Sequence, residues 1–385
     1  MDSIMEDRMR ARVSLIGCRS YEAAAEAVER ALEPLGGIEA FVKPGQRVLL
    51  KPNLLSASGP EAAVTTHPEI VRALVGLVKA AGGMPAVGDS PGLQSARRVA
   101  ERCGILAVCE EEQIELVEFD EEIQVDNKIP GPYKKLQLAR AALDVPVVVN
   151  LPKLKTHVQM AMTAGVKNLF GCVVGKGKAQ WHFKAGADRD LFAEALLGIY
   201  GTIAPALTIL DGVVGMEGDG PAGGRPRKFG LVAAAADAVA LDAVAARLAG
   251  FRIEEIPLLA AARAAGVGRT DLAEIEVLGD EIAPFDPPMA RSRGQSTFWS
   301  LPRPLRRFAK RHLIPKPVII RERCARCGRC AEACPQDAIA RAERGMAIDR
   351  AKCIACFCCH EMCPERAVDV RRGPVLRALE KFCGI

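Results

Sequence analysis

Apolar runs rich in β-branched residues alternate with stretches of helical periodicity along the first two-thirds of the chain. Val13 to Gly17 precedes a helical pattern over Tyr21 to Leu32, Arg47 to Lys51 precedes Pro68 to Ala81, and Pro85 to Gly88 precedes Ser95 to Cys103. Val145 to Leu151, Leu207 to Leu210, Gly230 to Ala234 and Ile275 to Leu278 read as further strands, with a helix over Ala238 to Ala249. Strands separated by helices of this length predict an α/β fold, a mostly parallel sheet with helices on both faces. Ligands of such sheets bind beyond the carboxyl ends of the strands, so the polar residues there are the ones to inspect.

Those residues form a set. Lys51-Pro52-Asn53, Gly88-Asp89-Ser90-Pro91-Gly92, the run from Asn150 to His157, and the run from Asp211 to Pro221 each follow a predicted strand. Thr65-Thr66-His67-Pro68 opens a helix, whose first turn favours anions. Of five histidines, His67, His157 and His182 fall in these loops, together with Lys51, Lys153, Lys155 and Lys167. Ammonium groups around glycine-rich turns suit a phosphate or carboxylate, so a small anionic ligand, or a cofactor such as a flavin or nucleotide, is expected. Lys153, Lys155, His157 and Asp211 are the candidate catalytic residues. Lys51, Asn53, His67, Asp89, Lys167, Asn168 and His182 are the candidate cofactor-binding residues.

Blander readings exist for each. Asp89, Asp211, Glu217 and Asp219 suit an additional metal, a general base or counter-charges to the lysines. Each histidine suits a cap or a core donor equally. Asp237 and Asp242 read as a helix N-cap and a solvated turn. No G-x-S-x-G, P-loop or G-x-G-x-x-G signature occurs, so hydrolase, kinase and dinucleotide readings lack support.

Composition narrows the class. The 385 residues are 49% hydrophobic and 26% charged, which excludes disorder. The most apolar stretch, Gly230 to Gly250, is broken by Asp237, Asp242 and Arg247, so no transmembrane segment is expected. Asp2, Glu6, Asp7, Arg8 and Arg10 leave no apolar core for a secretory signal, and a cytoplasmic location follows as the expectation. Of the net charge of +5, nine basic residues lie between Pro287 and Arg321 with no acidic one among them. Beside Phe298, Trp299, Leu301, Leu305 and Phe308, this run reads as a solvated linker, or as a face for an anionic membrane surface, nucleic acid or, as the expected partner, an acidic redox protein. Nucleic acid is not the expected partner.

The cysteines divide the chain. Nine of fourteen fall between Cys324 and Cys363, where one grammar occurs twice: Cys324-x2-Cys327-x2-Cys330-x3-Cys334-Pro335, then Cys353-x2-Cys356-x2-Cys359-x3-Cys363-Pro364, offset by 29 residues. The first three thiolates of a run reach three corners of one iron–sulfur cube, and the fourth ligates the cube of the other run. Two [4Fe–4S] clusters are thus expected, one on Cys324, Cys327, Cys330 and Cys363, the other on Cys353, Cys356, Cys359 and Cys334. Zinc ribbons use paired C-x2-C knuckles, without two consecutive runs in register. A disulfide framework suits a short secreted chain. Cys358 breaks both spacings and is a spare thiol.

From about Pro317 to Arg372 the chain resembles a bacterial-type two-cluster ferredoxin, which implies low-potential one-electron transfer. Over about Val13 to Asp280, Lys51-Pro-Asn, Thr66-His-Pro, Gly88-Asp-Ser-Pro-Gly, Pro152-Lys-Leu-Lys-Thr-His, Val166-Lys-Asn-Leu-Phe-Gly, Asp211-Gly and Glu217-Gly-Asp-Gly-Pro resemble the family known as domain of unknown function 362. That resemblance implies an architecture and candidate positions, not a reaction. The organisation expected is an α/β domain over 1–284, a basic linker over 285–316, a small α+β ferredoxin-type domain over 317–372 and a tail over 373–385. The function expected is electron transfer between a partner protein and a ligand of the α/β domain. The rivals are a binding or sensor protein with structural or oxygen-sensing clusters, and a non-redox metal enzyme using His67, His157 or His182.

Overall fold

A computed structural model describes residues 10–294 apart from 176 and 187, and residues 314–373 apart from 344. The middle of the basic run, with Phe298, Trp299 and Arg303 to Arg311, and the tail beyond 373 lie outside the described residues.

A mixed, mostly parallel sheet carries the larger region. Its main path uses β1 (Ala11–Gly17), β2 (Arg47–Pro52), β3 (Met84–Asp89), β4 (Glu115–Glu118), β7 (Val147–Leu151), β10 (Leu207–Glu217), β11 (Arg225–Ala235) and β12 (Ile275–Gly279). The spatial order is β12-β1-β11-β10-β7-β2-β3-β4, with only β11 antiparallel to its neighbours along this path. Two short strands, β5 (Glu122–Asp126) and β6 (Lys135–Ala139), form a separate hairpin. β8 (Lys153–His157) pairs with β10, and β9 (Ala161–Thr163) pairs with β8.

Alternation along the strands divides the core in two. Val48, Leu50, Val147 and Val149 face one layer of helices, α1 (Ala24–Leu32), α2 (Pro68–Ala80), α3 (Ala96–Arg102) and α4 (Ile105–Glu111). Leu49, Val148 and Leu210 face the other, α5 (Gly177–Ala185), α6 (Arg189–Ile203), α7 (Ala238–Leu248) and α8 (Pro257–Ala265). Because both faces are covered, the central strands β2 and β7 are almost wholly buried. In α2, Pro68 supplies the preset first turn, while Ile70, Val71, Leu74, Val75 and Val78 form its buried stripe.

The smaller region is built from two similar halves. β13 (Lys316–Ile319) pairs with β16 (Val368–Arg371), and β14 (Ile339–Ala342) pairs with β15 (Gly345–Ile348). Short helices α9 (Arg329–Glu332) and α10 (Cys358–Glu361) carry the third cysteine of each run, Cys330 and Cys359.

Two expectations change. Lys153 to His157 form a strand, β8, rather than a loop, and β10 continues past Leu210 to Glu217. Pairing between them sets Asp211 beside Lys153 and Met216 beside Lys155, and the Lys153 charge is matched there by Asp211. Asp237 is the N-cap of α7, accepting from the amides of Val239 and Ala240. Asp242 is not on a solvated turn: it is buried, and its two carboxylate oxygens accept from the Gly165 and Val166 amides.

Candidate functional site

Buried lysines gather at the carboxyl ends of the parallel strands, and each is satisfied differently. Lys51 Nζ lies 2.8 Å from Asp89 Oδ1, while Asp89 Oδ2 accepts from the Leu54 amide. Gly171 makes this pair possible, since any Cβ there would collide with Asp89 Oδ1 and approach Lys51 Nζ to 2.5 Å. Lys153 Nζ lies 2.7 Å from both Asp211 Oδ2 and the Tyr21 hydroxyl. That hydroxyl donates to Asp211 Oδ1, and the Tyr21 ring stacks on His67 with centroids 3.4 Å apart.

Lys155 donates to Asn53 Oδ1 and the Val64 carbonyl, with no carboxylate in ion-pair range among the described residues. Burial, then the neighbouring Lys167 and Lys153, push its ammonium down to about 7. Lys178, which the sequence patterns did not single out, donates to the Ser90 and Val173 carbonyls, and burial brings it to about 7.

The histidines serve three purposes. His67 is the N-cap of α2, its Nδ1 accepting from the Glu69 amide, and burial holds the ring down at about 4. At His157, Nδ1 accepts from the Gln159 and Met160 amides, so the proton belongs on Nε2, 3.0 Å from Glu361 Oε1. Burial pushes this imidazole to about 3, which agrees with a neutral donor. Burial opposes ionisation of Glu361 as well, but His157 and Lys167 outweigh it and hold the carboxyl below the usual range. His182 packs against Phe170 and Phe192.

A cavity of about 180 Å³ lies between the two regions. The α/β side supplies Asn53, Asp89, Lys167, Asn168, Lys178 and His182; the small region supplies Glu332, Ala333, Cys358, Glu361 and Met362. Five candidate binding residues thus share one wall. Lys51 stands behind Asp89, and His67 lies apart with Tyr21, Lys153 and Asp211. Asn168 donates to Asn150 Oδ1 and so ties the wall to β7.

The clustered cysteines line two smaller chambers. Cys324, Cys327, Cys330 and Cys363 line one, with Ile319, Met346 and Val368. Cys334, Cys353, Cys356 and Cys359 line the other, with Ile339, Ile348 and Phe357. Positive φ recurs at the 29-residue offset: Arg326 with Ala355, Gly328 with Phe357, Asp337 with Arg366. Five of these six lack glycine's freedom, so the turns around the thiols carry backbone strain twice, in register. The Ala338 and Ala367 amides donate to Cys334 Sγ and Cys363 Sγ, again in register. Among the described residues, no three His, Cys, Asp or Glu side chains converge as ligands of a single ion would. Each chamber is thus lined by four thiols, the number that a [4Fe–4S] cube takes.

Past Asp211, the acidic residues of the last candidate loop have arginine partners rather than lysine ones. Glu217 binds Arg225, Arg227 and the Ala290 amide, and Asp219 binds Arg293. Arg291 pairs with Glu255, and Arg293 also reaches Asp369. These two members of the basic run are therefore engaged within the chain.

Residues 48–247 match the family described as Domain of unknown function (DUF362), and residues 317–340 match a 4Fe-4S binding domain. The chain belongs to the DUF362 family. It is 47% identical over 260 residues to the thylakoid-associated protein sll1697 of Synechocystis sp., covering 67% of this chain and 80% of that protein. It is similar to the lactate racemase apoprotein from Thermoanaerobacterium thermosaccharolyticum, with a TM-score of 0.40 and 12% identity, over 63% of this chain and 58% of that one. Among the described residues of this DUF362 protein, no helix is long and apolar enough to cross a membrane.

Sequence reasoning missed Tyr21, Lys178 and Glu361. Tyr21 looked like one more residue of a helical pattern. Lys178, in Gly175-Lys-Gly-Lys, carried a glycine–lysine signal; Glu361, inside a cysteine run, carried none, since His157 lies about two hundred residues away.

Proposed function

We propose that this protein transfers single electrons through two [4Fe–4S] clusters, held by Cys324, Cys327, Cys330 and Cys363 and by Cys353, Cys356, Cys359 and Cys334. Bound there, such cubes supply one-electron chemistry without an open iron position for substrate. The observation that carries the reading is the pair of four-thiol chambers, each collecting three thiols of one run and the last thiol of the other.

The electrons exchange with an anionic ligand in the α/β region. Two facts support this: Phe357 and Cys359 line the second chamber while Cys358, between them, lines the cavity, and the opposite wall carries Lys167 and Lys178. The chain's own residues bind and orient. Glu361 sets the small region against His157, and the buried Lys51 behind the wall holds Asp89 in place. This reading puts the protein in the cytoplasm, where reducing conditions keep thiols free for iron, with an acidic redox protein as exchange partner.

Anaerobic purification with iron and sulfide analysis, followed by a paramagnetic-resonance redox titration, tests it. About eight iron atoms per chain and reversible low-temperature signals are expected. Colourless protein holding zinc would sink the proposal, and clusters that shed iron on each oxidation would favour sensing over electron transfer.

A further inference from the structure

Most polar groups facing the cavity have partners among the described residues. Asp89 is paired with Lys51, Glu361 lies beside the neutral His157, Lys178 is taken up by two carbonyls, and Lys155 behind the wall by Asn53 and Val64, while Glu332 stands exposed. The Lys167 ammonium has no hydrogen bond or ion pair among the described residues. It has ring faces against it, 5.4 Å from the Phe170 centroid and 5.9 Å from that of Phe192. His182, 4% exposed, lines the same cavity, and its ring nitrogens have no hydrogen-bond partner among the described residues. Leu54, Leu93, Phe170, Ala333 and Met362 supply apolar wall.

We propose that the cavity binds a compact monocarboxylate with an apolar body, its carboxylate held by Lys167 and His182. One ammonium without a hydrogen bond or close ion pair and one imidazole donor match the two oxygens of a carboxylate. A phosphate dianion would bring a second charge towards Asp89, Glu332 and Glu361, while the second lysine of the wall, Lys178, is already turned to two carbonyls. A volume of about 180 Å³ suits a compact organic acid seated between these walls. The apolar walls replace the water around the ligand's body, and the low-polarity site strengthens the charged contact at its head.

This inference rests on the ligand site of the proposed function, and its test needs no electron flow. The probe is benzoate, titrated calorimetrically into the oxidised, anaerobically prepared full-length protein, with benzyl alcohol, inorganic phosphate and flavin mononucleotide as comparators. Benzoate should bind saturably, and benzyl alcohol at least about tenfold more weakly, as the loss of a charged hydrogen bond implies. Lys167→Met should weaken benzoate about tenfold or more, while Lys167→Arg stays within a few-fold, each with an unchanged cluster absorbance to certify folding. Equal affinity for benzoate and benzyl alcohol, no benzoate binding by about 10 mM, or displacement of benzoate by phosphate or the flavin would overturn the proposal. Cluster signals are read in a separate measurement, so a protein that binds benzoate but cannot cycle its iron would refute only the electron-transfer reading. One that cycles but ignores benzoate would refute only this one.

Discussion

His157 Nε2 stands 3.0 Å from Glu361 Oε1, joining a buried strand of the α/β region to the short helix that carries Cys358 and Cys359. Because two backbone amides already occupy His157 Nδ1, the ring proton belongs on Nε2, beside this carboxylate. The contact therefore helps fix where the small region sits. Glu361→Ala should cost about 1–3 kcal/mol, the cost of leaving a buried N–H without its nearest acceptor, whereas Glu361→Gln keeps an oxygen there and should lose less. Chemical denaturation followed by far-ultraviolet dichroism reads both; equal losses would show that the acceptor does not matter.

Lys153 and Asp211 are both fully buried, and neither side chain can reach water if its partner is removed. Asp211→Asn or Lys153→Met alone should lower stability by about 3–5 kcal/mol, since each leaves a charge unanswered in the interior. The double variant should lose less than the sum of the two. Denaturant midpoints measure all three, and simple additivity would argue against direct coupling.

Gly171→Ala places a methyl group against the Lys51–Asp89 pair. Overpacking at that point should cost at least about 1–3 kcal/mol and displace Asp89 from the cavity wall. Thermal unfolding checks the first effect. A variant as stable as the parent would mean that the wall yields.

Lys155 is pushed down to about 7, mainly by burial without a counter-ion. Its unfolded form holds a proton up to about 10.4, so between those values the unfolded state binds more protons and stability rises with pH. Below about 7 the group is protonated in both states and contributes no slope. Stability relative to Lys155→Met should thus grow from pH 7 towards pH 10, measured by urea unfolding across that range. A flat difference would place the titration elsewhere.

Cys358 lines the cavity and neither cysteine chamber. Cys358→Ala should keep about eight iron atoms per chain, whereas Cys359→Ala should lose iron from one cluster. Iron and sulfide analysis of anaerobic protein decides between them. Loss of iron in the Cys358 variant would reassign the ligand.

The fold class was legible because its signal is local. Strands buried on both faces must be continuously apolar, and Val147-Val148-Val149 shows this without reference to any other part of the chain. Asp237 could likewise be read as a cap, since a cap bonds amides two and three residues away. Asp242 could not, because the amides that define it belong to Gly165 and Val166.

The sequence by itself determined the α/β alternation, the doubled cysteine spacing and the set of lysines and histidines after the strands, all of which are patterns over a few neighbouring residues. Tertiary structure alone decided which of those residues stand free. Charges pair through space: Lys51 takes Asp89, Lys153 takes Asp211 and Tyr21, and His157 takes Glu361 from the far end of the chain. Only after those pairs form are Lys167 and His182 left facing a cavity that neither region encloses by itself. Chain order carries no record of such distances, because folding sets them by desolvation and charge matching rather than by spacing along the backbone.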